Sequence, residues 1–261
     1  MGVPATAIHI YHAVIARPQR TFPQEHTMTE TLTIQVADGS FDCYVARPAS
    51  AASAPVIVVM QEIFGVNAGI RSIADDYAAK GYIAVAPDLF WRAEPGLSMS
   101  EDIPGDWARG FALYSAYDFA GGVNDVAATT AAARGMRGAS GKVGVTGYCL
   151  GGLMTFLTAA RADADAFVAY YGGSTEKYAA EGVNIKRPLL YHLAGDDEYI
   201  GKDAQAVIHA ALRDQRHVEL HTYPGCNHAF ARPGGNHYDA AAATLANSRT
   251  DAFFKQHLHS N

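Results

Sequence analysis

The stretch APVIVVM, Ala54 to Met60, constrains the fold more than any other part of the chain. It is a continuous apolar run, rich in β-branched residues and bounded by a proline, with no polar face to turn towards water, so a strand made of it has to be covered on both sides. Strands covered in this way belong to parallel sheets, whose crossover connections are helices. The rest of the chain supplies that alternation. Residues 67 to 80 carry helical spacing (Ile70, Ile73, Tyr77, Ala78), YIAVAP reads as the next strand, and a helix is expected within about 118 to 136 before the strand KVGVTG. A helix from Leu150 to Arg161 follows, then strands AFVAYYG and PLLYHLAG, a helix over about 202 to 214, the strand HVELHTY and a terminal helix near 238 to 258. Ahead of APVIVVM, the text TLTIQVADGSFDCYVA alternates as two strands turned at Asp38-Gly39. The expected architecture is α/β: a mostly parallel central sheet with helices on both faces.

Length and charge narrow the class. At 261 residues one sizeable core is expected, and the net charge of −6 disfavours a nucleic-acid partner bound through phosphates. No apolar run approaches the roughly 20 residues needed to cross a bilayer, so no membrane partner is expected. Three cysteines, Cys43, Cys149 and Cys226, are too few and odd in number for a disulfide framework, which suits a reducing cytoplasm. Residues 1–27 lack a basic leader and are broken by His9, His12 and prolines, so they read as a poorly ordered extension rather than a secretory signal. MGVPAT fits the myristoylation pattern, but nothing polybasic follows to give a second anchor. Residues 28–261 are expected to form the single domain.

Chemistry concentrates at GYCLGG, Gly147 to Gly152, where a strand meets a helix. A G-x-C-x-G corner is a sharp turn that pushes its middle residue outward, and the N–H groups at the start of the next helix favour thiolate over thiol and can hold an oxyanion. Cys149 therefore reads as a nucleophile, against the commoner fate of a lone cysteine as buried filler. A nucleophile here needs a carboxylate and a histidine later in the chain. Asp196, Asp197 and Glu198 end the strand PLLYHLAG, where sites of open α/β sheets collect, and composition does not choose among them; Asp196 could equally cap the helix that follows. His228, just past HVELHTY, is a better base than His192, His217 or His221, which fall within strands. Between Phe90 and Tyr117 the pattern is irregular, broken by Pro95, Gly96, Pro104 and Gly105, with Trp91, Trp107 and Phe111 supplying bulk for a pocket wall.

Five segments together, QEIFGVN (61–67), PDLF (87–90), GYCLGG (147–152), GDD (195–197) and NHAFAR (227–232), resemble the dienelactone hydrolase or carboxymethylenebutenolidase family, from about Met28 to the C-terminus. The resemblance implies an α/β-hydrolase fold and hydrolysis of a cyclic enol ester to maleylacetate, with no metal or organic cofactor. It makes Cys149 the nucleophile, Asp197 the orienting acid, His228 the base, and Glu62 the glutamate that contacts the resting thiol and could move towards an arginine when substrate binds. The backbone N–H groups of Ile63 and Leu150 would form the oxyanion hole, with Arg232 binding a substrate carboxylate and Phe64 lying beside the substrate. One departure stands out: an ungapped register puts Trp107 where a second carboxylate-binding arginine is expected. Its loss would weaken recognition of an acidic lactone by roughly 1.5–3 kcal/mol unless Arg109, two residues on, replaces it. The expected partner is a small ester or lactone, taken by a monomer. The alternatives are a hydrolase for another small activated or acidic ester, a redox sensor built on Cys149, which leaves His228 and Asp197 unexplained, and a ligand binder with a dead site.

Overall fold

The computed structural model describes residues 28–49 and 53–259, so the expectation for residues 1–27 lies outside the described residues. An eight-stranded sheet runs in the order β1-β2-β4-β3-β5-β6-β7-β8. The hairpin β1 (Met28–Val36) and β2 (Gly39–Arg47) is antiparallel and pairs antiparallel to β4 (Ile83–Pro87). Its register joins Val36 to Gly39, so the two turn residues are Ala37 and Asp38, one position earlier than the dipeptide suggested. From β4 onward through β3 (Ala54–Met60), β5 (Ala139–Tyr148), β6 (Ala166–Tyr170), β7 (Leu189–Ala194) and β8 (Val218–Tyr223) every pairing is parallel. All seven residues of β3 are buried, as a strand with no polar face requires.

Side-chain caps start three helices where they were expected. Asn67 accepts from Ile70 N to open α1 (Ala68–Ala79), Asp118 accepts from Ala120 N ahead of α3 (Phe119–Arg134), and Asp239 accepts from Ala242 N ahead of α6 (Ala240–Leu258). The irregular stretch contains one helix that its breakers hid, α2 (Asp106–Ala116). The helix α4 (Leu150–Arg161) leaves the corner and is buried nearly throughout, while α5 (Lys202–Leu212) precedes β8. Here Gly201 is the cap of α5, and Asp196 pairs with Lys202 instead, 2.8 Å away.

The helices α1 and α6 pack together through Tyr77 on Phe254 and the Lys80–Asp251 pair, and α3 packs with α4. Right-handed crossovers place these two pairs on opposite faces. The direction of winding reverses at β3: the chain passes from β3 outward to β4, then returns over β3 to β5. Such a reversal splays the connections apart and leaves a crevice beyond the carboxyl ends of β3 and β5.

Candidate active site

The corner after β5 opens into that crevice. Cys149 sits at φ 55°, ψ −113°, a conformation few side-chain-bearing residues adopt, which holds it at the N-cap of α4. The flanking glycines make this approach possible. A Cβ on Gly147 would lie 2.2 Å from the carbonyl oxygen of Gly151, and one on Gly151 would lie 2.5 Å from that of Met60. The backbone of α4 thus rests directly on the end of β3, where Gly151 N donates to Gln61 O at 2.9 Å. Among the described residues, neither the Leu150 nor the Ile63 N–H has a hydrogen-bond acceptor in the protein. Two free donors beside a thiol are suited to an oxyanion.

His228 and Asp197 come to the same end of the sheet from the loops after β8 and β7. The imidazole Nδ1 lies 2.9 and 3.1 Å from the two carboxylate oxygens of Asp197, and both side chains are nearly inaccessible. Asp197 also accepts from the N–H groups of Tyr199 and Ile200, at 2.8 and 3.0 Å, which fixes its rotamer. Asn227 stitches the two loops, its side-chain oxygen accepting from the N–H of His228 and of Glu198. Tyr171 and Tyr199 hold the ring edge-on at 5.1 and 4.9 Å. The other nitrogen, Nε2, is buried without a well-formed hydrogen bond. Burial opposes a charge on His228, but the neighbouring Cys149 and the Asp197 carboxylate outweigh it and lift the imidazole from 6.5 to about 10.

Of the other histidines, His192 is fully buried between Tyr223 OH and Thr250 Oγ1, and His221 faces Glu219 at 2.6 Å. Glu198 lies 3.5 Å from His237 rather than near His228. The tertiary structure therefore singles out Asp197 from the three adjacent acids.

A cavity of about 170 Å³ opens over Cys149, walled by Ile63, Phe64, Trp107, Phe111, Tyr114, Tyr199, His228 and Arg232. Residues 107, 111 and 114 fall on one face of α2 at helical spacing, and Trp107 meets Phe64 edge-on at 4.9 Å. Arg109 does not reach this cavity and cannot stand in for a second substrate arginine. Two residues from Trp107 on a helix means about 200° of rotation, so Arg109 faces away; it is 49% exposed and paired with Glu94. A larger cleft of about 370 Å³ lies beside β2, with Asp42, Arg71 and Asp88 on its walls; it contains none of the candidate catalytic residues, but Trp91, Pro95 and Gly96 line it, so of the aromatics expected in the pocket wall only Trp107 and Phe111 border Cys149. Asp88 there is already satisfied by the N–H groups of Phe90 and Gly96.

Glu62 does not sit against the thiol. It grips Arg232, Oε2 at 2.7 Å from Nε and Oε1 at 3.1 Å from Nη2, the arrangement expected of the occupied site. Arg232 also pairs with Glu101, and the two carboxylates overcome burial to raise its already high pKa. The sequence reading missed Tyr199, Tyr114 and Glu101. Tyr199 had a local signal, since it follows GDDE directly, whereas Glu101 meets a partner 131 positions away. Among the described residues no three His, Cys, Asp or Glu side chains cluster as a metal would require, and no helix is long and apolar enough to cross a membrane.

With this geometry in view, similarity to known proteins is informative. The model of the dienelactone hydrolase family matches residues 41–258. A protein of Azospirillum brasilense provisionally named carboxymethylenebutenolidase is 44% identical over 227 residues, covering 85% of this chain and 95% of that one. The carboxymethylenebutenolidase of Pseudomonas putida is 39% identical over 223 residues, covering 85% and 94%. A crystal structure from Klebsiella pneumoniae, provisionally described as a dienelactone hydrolase, superimposes with a TM-score of 0.77 at 29% identity, covering 89% of this chain and all of that one.

Proposed function

Since this chain belongs to the dienelactone hydrolase family, has the α/β-hydrolase fold and is a carboxylic ester hydrolase, we propose that it opens a dienelactone, a cyclic enol ester, to maleylacetate through a thioester on Cys149. The observation that carries this reading is the convergence of Cys149, the His228–Asp197 pair and two unpaired backbone donors on one aromatic cavity. The thiol proton passes to His228, and Sγ attacks the lactone carbonyl carbon. Negative charge grows on the carbonyl oxygen, which the N–H groups of Ile63 and Leu150 receive. The tetrahedral adduct then collapses, breaking the ring C–O bond. The enolate takes a proton from the imidazolium and remains tethered as the ring-opened acyl chain. His228 next removes a proton from water, hydroxide adds to the thioester, and the C–S bond breaks to return the thiol and the free acid. Throughout, Asp197 keeps the proton-bearing Nδ1 turned towards itself, leaving Nε2 for the chemistry.

Leaving-group strength sets the substrate class. An enolate is expelled by a thiolate adduct far more readily than an alkoxide, so activated esters and enol lactones are favoured over alkyl esters. Arg232 supplies the cation for the exocyclic carboxylate. A second reading, hydrolysis of another small activated ester, is favoured by one observation: the position expected for a second arginine holds Trp107, and Arg109 faces away.

Both readings are tested by assaying wild type and Cys149→Ala on a dienelactone and on p-nitrophenyl acetate, with mass spectrometry of the acetylated intermediate. Wild type is expected to cleave both and to carry the acetyl group on Cys149, and the variant to cleave neither. Equal turnover by the variant removes Cys149 from the mechanism. Cleavage of the neutral ester alone by wild type rejects the dienelactone and leaves the second reading.

A further inference from the structure

Among the described residues, Arg232 is the one lysine or arginine on the wall of the cavity, so it is the permanently charged cation there that a substrate carboxylate can pair with. Its surroundings work against that pairing. Glu62 occupies the side edge of the guanidinium through Nε and Nη2, Glu101 accepts from Nη1, and the Phe64 ring lies against it at 5.4 Å. One positive charge is answered by two carboxylates, leaving the trio at a formal −1 (one arginine, two glutamates) in a setting where both acids are about 90% covered. A guanidinium so compensated gains little from a third anion unless one of the first two gives way.

The two glutamates are held very differently. Glu62 stands two residues past β3, next to Gln61, whose carbonyl accepts from Gly151 N and whose side chain accepts from Leu89 N, so its backbone is pinned to the sheet and to α4 while its Oε1 accepts from Arg232 Nη2. Glu101 stands on the loop between Met99 and Gly105. Apart from Arg232, its recorded partner is the N–H of Asn236 at a long 3.3 Å. The carboxylate able to leave is therefore that of Glu101.

We propose that Glu101 is a built-in competitor for the substrate's carboxylate and sets the choice between anionic and neutral esters. An anionic ester binds by exchanging with Glu101 on Arg232, whereas a neutral ester binds beside an undisturbed Arg232. The inference rests on the proposed reading only in taking Arg232 as the recognition group. A glutamine at position 101 keeps one carbonyl oxygen for Arg232 Nη1, gives up the long contact that Asn236 N makes with the other carboxylate oxygen, and removes the charge.

The test uses a matched pair, a dienelactone and the methyl ester of its exocyclic carboxylate, with wild type, Glu101→Gln and Asp102→Asn. Glu101→Gln is expected to lower KM for the anionic lactone about tenfold, the scale of one charge-assisted hydrogen bond. KM and kcat for the methyl ester stay as in wild type, and Asp102→Asn, which removes a neighbouring loop charge with no contact to Arg232, changes neither ratio. Equal losses on both substrates in Glu101→Gln make the residue a structural latch and overturn the proposal, as does an unchanged ratio. If wild type opens no dienelactone, the proposed function fails, and the role of Glu101 is read separately as inhibition of p-nitrophenyl acetate hydrolysis by maleate. There Glu101→Gln is expected to bind maleate about tenfold more tightly, and equal inhibition constants overturn the proposal.

Discussion

Replacing Gly151 by alanine isolates the contact on which the corner depends. The new Cβ would lie 2.5 Å from Met60 O and 2.7 Å from Gln61 O, whereas real Cβ atoms essentially never come within 3.0 Å of such a neighbour. The gap must open by at least 0.5 Å (3.0 less 2.5), and both obstacles are backbone, so α4 and the end of β3 have to part. Alanine is the better helix former by about 1 kcal/mol, while overpacking of a buried contact typically costs about 1–3 kcal/mol. With both obstacles being backbone, strain is expected to win, giving a net loss of up to about 2 kcal/mol in urea unfolding. Activity should fall further than stability. The displaced strand end carries Ile63, whose N–H must point at the oxyanion, and displacements near 1 Å lower rates about 10²-fold. A drop in kcat of roughly ten- to hundredfold on p-nitrophenyl acetate, with KM little changed, is the expected signature. Gly201→Ala serves as control, since nothing lies within 4 Å of its added Cβ and its φ is −60°. If Gly151→Ala loses stability but keeps its kcat, the Ile63 donor plays no part in the reaction. If it loses neither, the close approach of helix to strand does not position the corner.

Two further substitutions probe the surroundings. Arg109→Ala is expected to leave KM for an anionic lactone within about twofold of wild type and stability within about 1 kcal/mol, as suits an exposed ion pair; a large rise in KM would return Arg109 to the site. His192 is held neutral by complete burial, its pKa pushed well below 6.5. Above pH 6.5 it is neutral folded or unfolded; as pH falls below 6.5 the unfolded chain binds a proton that the folded one refuses. Unfolding free energy should therefore decline by about 1.4 kcal/mol per pH unit from this residue. Comparing urea unfolding of wild type and His192→Gln from pH 7 to 5 measures it: equal slopes would mean that His192 takes up its proton in the folded state.

The sequence disclosed what is dictated locally. The buried run at β3, the periodic stretches that became α1, α3 and α6 and the glycines around Cys149 each carry their structural reason within a few residues, and those elements lie where they were read. The helix α2 escaped because its inner side is thinly covered: Gly110 is its one fully buried residue, Trp107, Leu113 and Tyr114 reach the core only in part, and its aromatic side borders the cavity. Arg109 was misplaced for a related reason, since position along the chain says nothing of which way a helix turns a side chain until the helix is known. The choice among Asp196, Asp197 and Glu198 was fixed by backbone donors at 199 and 200 and by a histidine 31 positions later. Long-range pairing of this kind leaves no trace in local spacing, and the Glu101–Arg232 contact is another case.

The parts of the proposed reactive centre hang from different regions of the sheet. Cys149 and its donors are rooted in β5 and β3, in the middle, whereas the imidazole and its carboxylate hang from β8 and β7, at one margin. The outermost strand, β8, is only partly covered. Marginal strands open with less free energy than central ones. Gentle warming or dilute denaturant should thus silence turnover by peeling the base away from the sulfur, while the middle of the molecule still gives the optical signal of an intact protein.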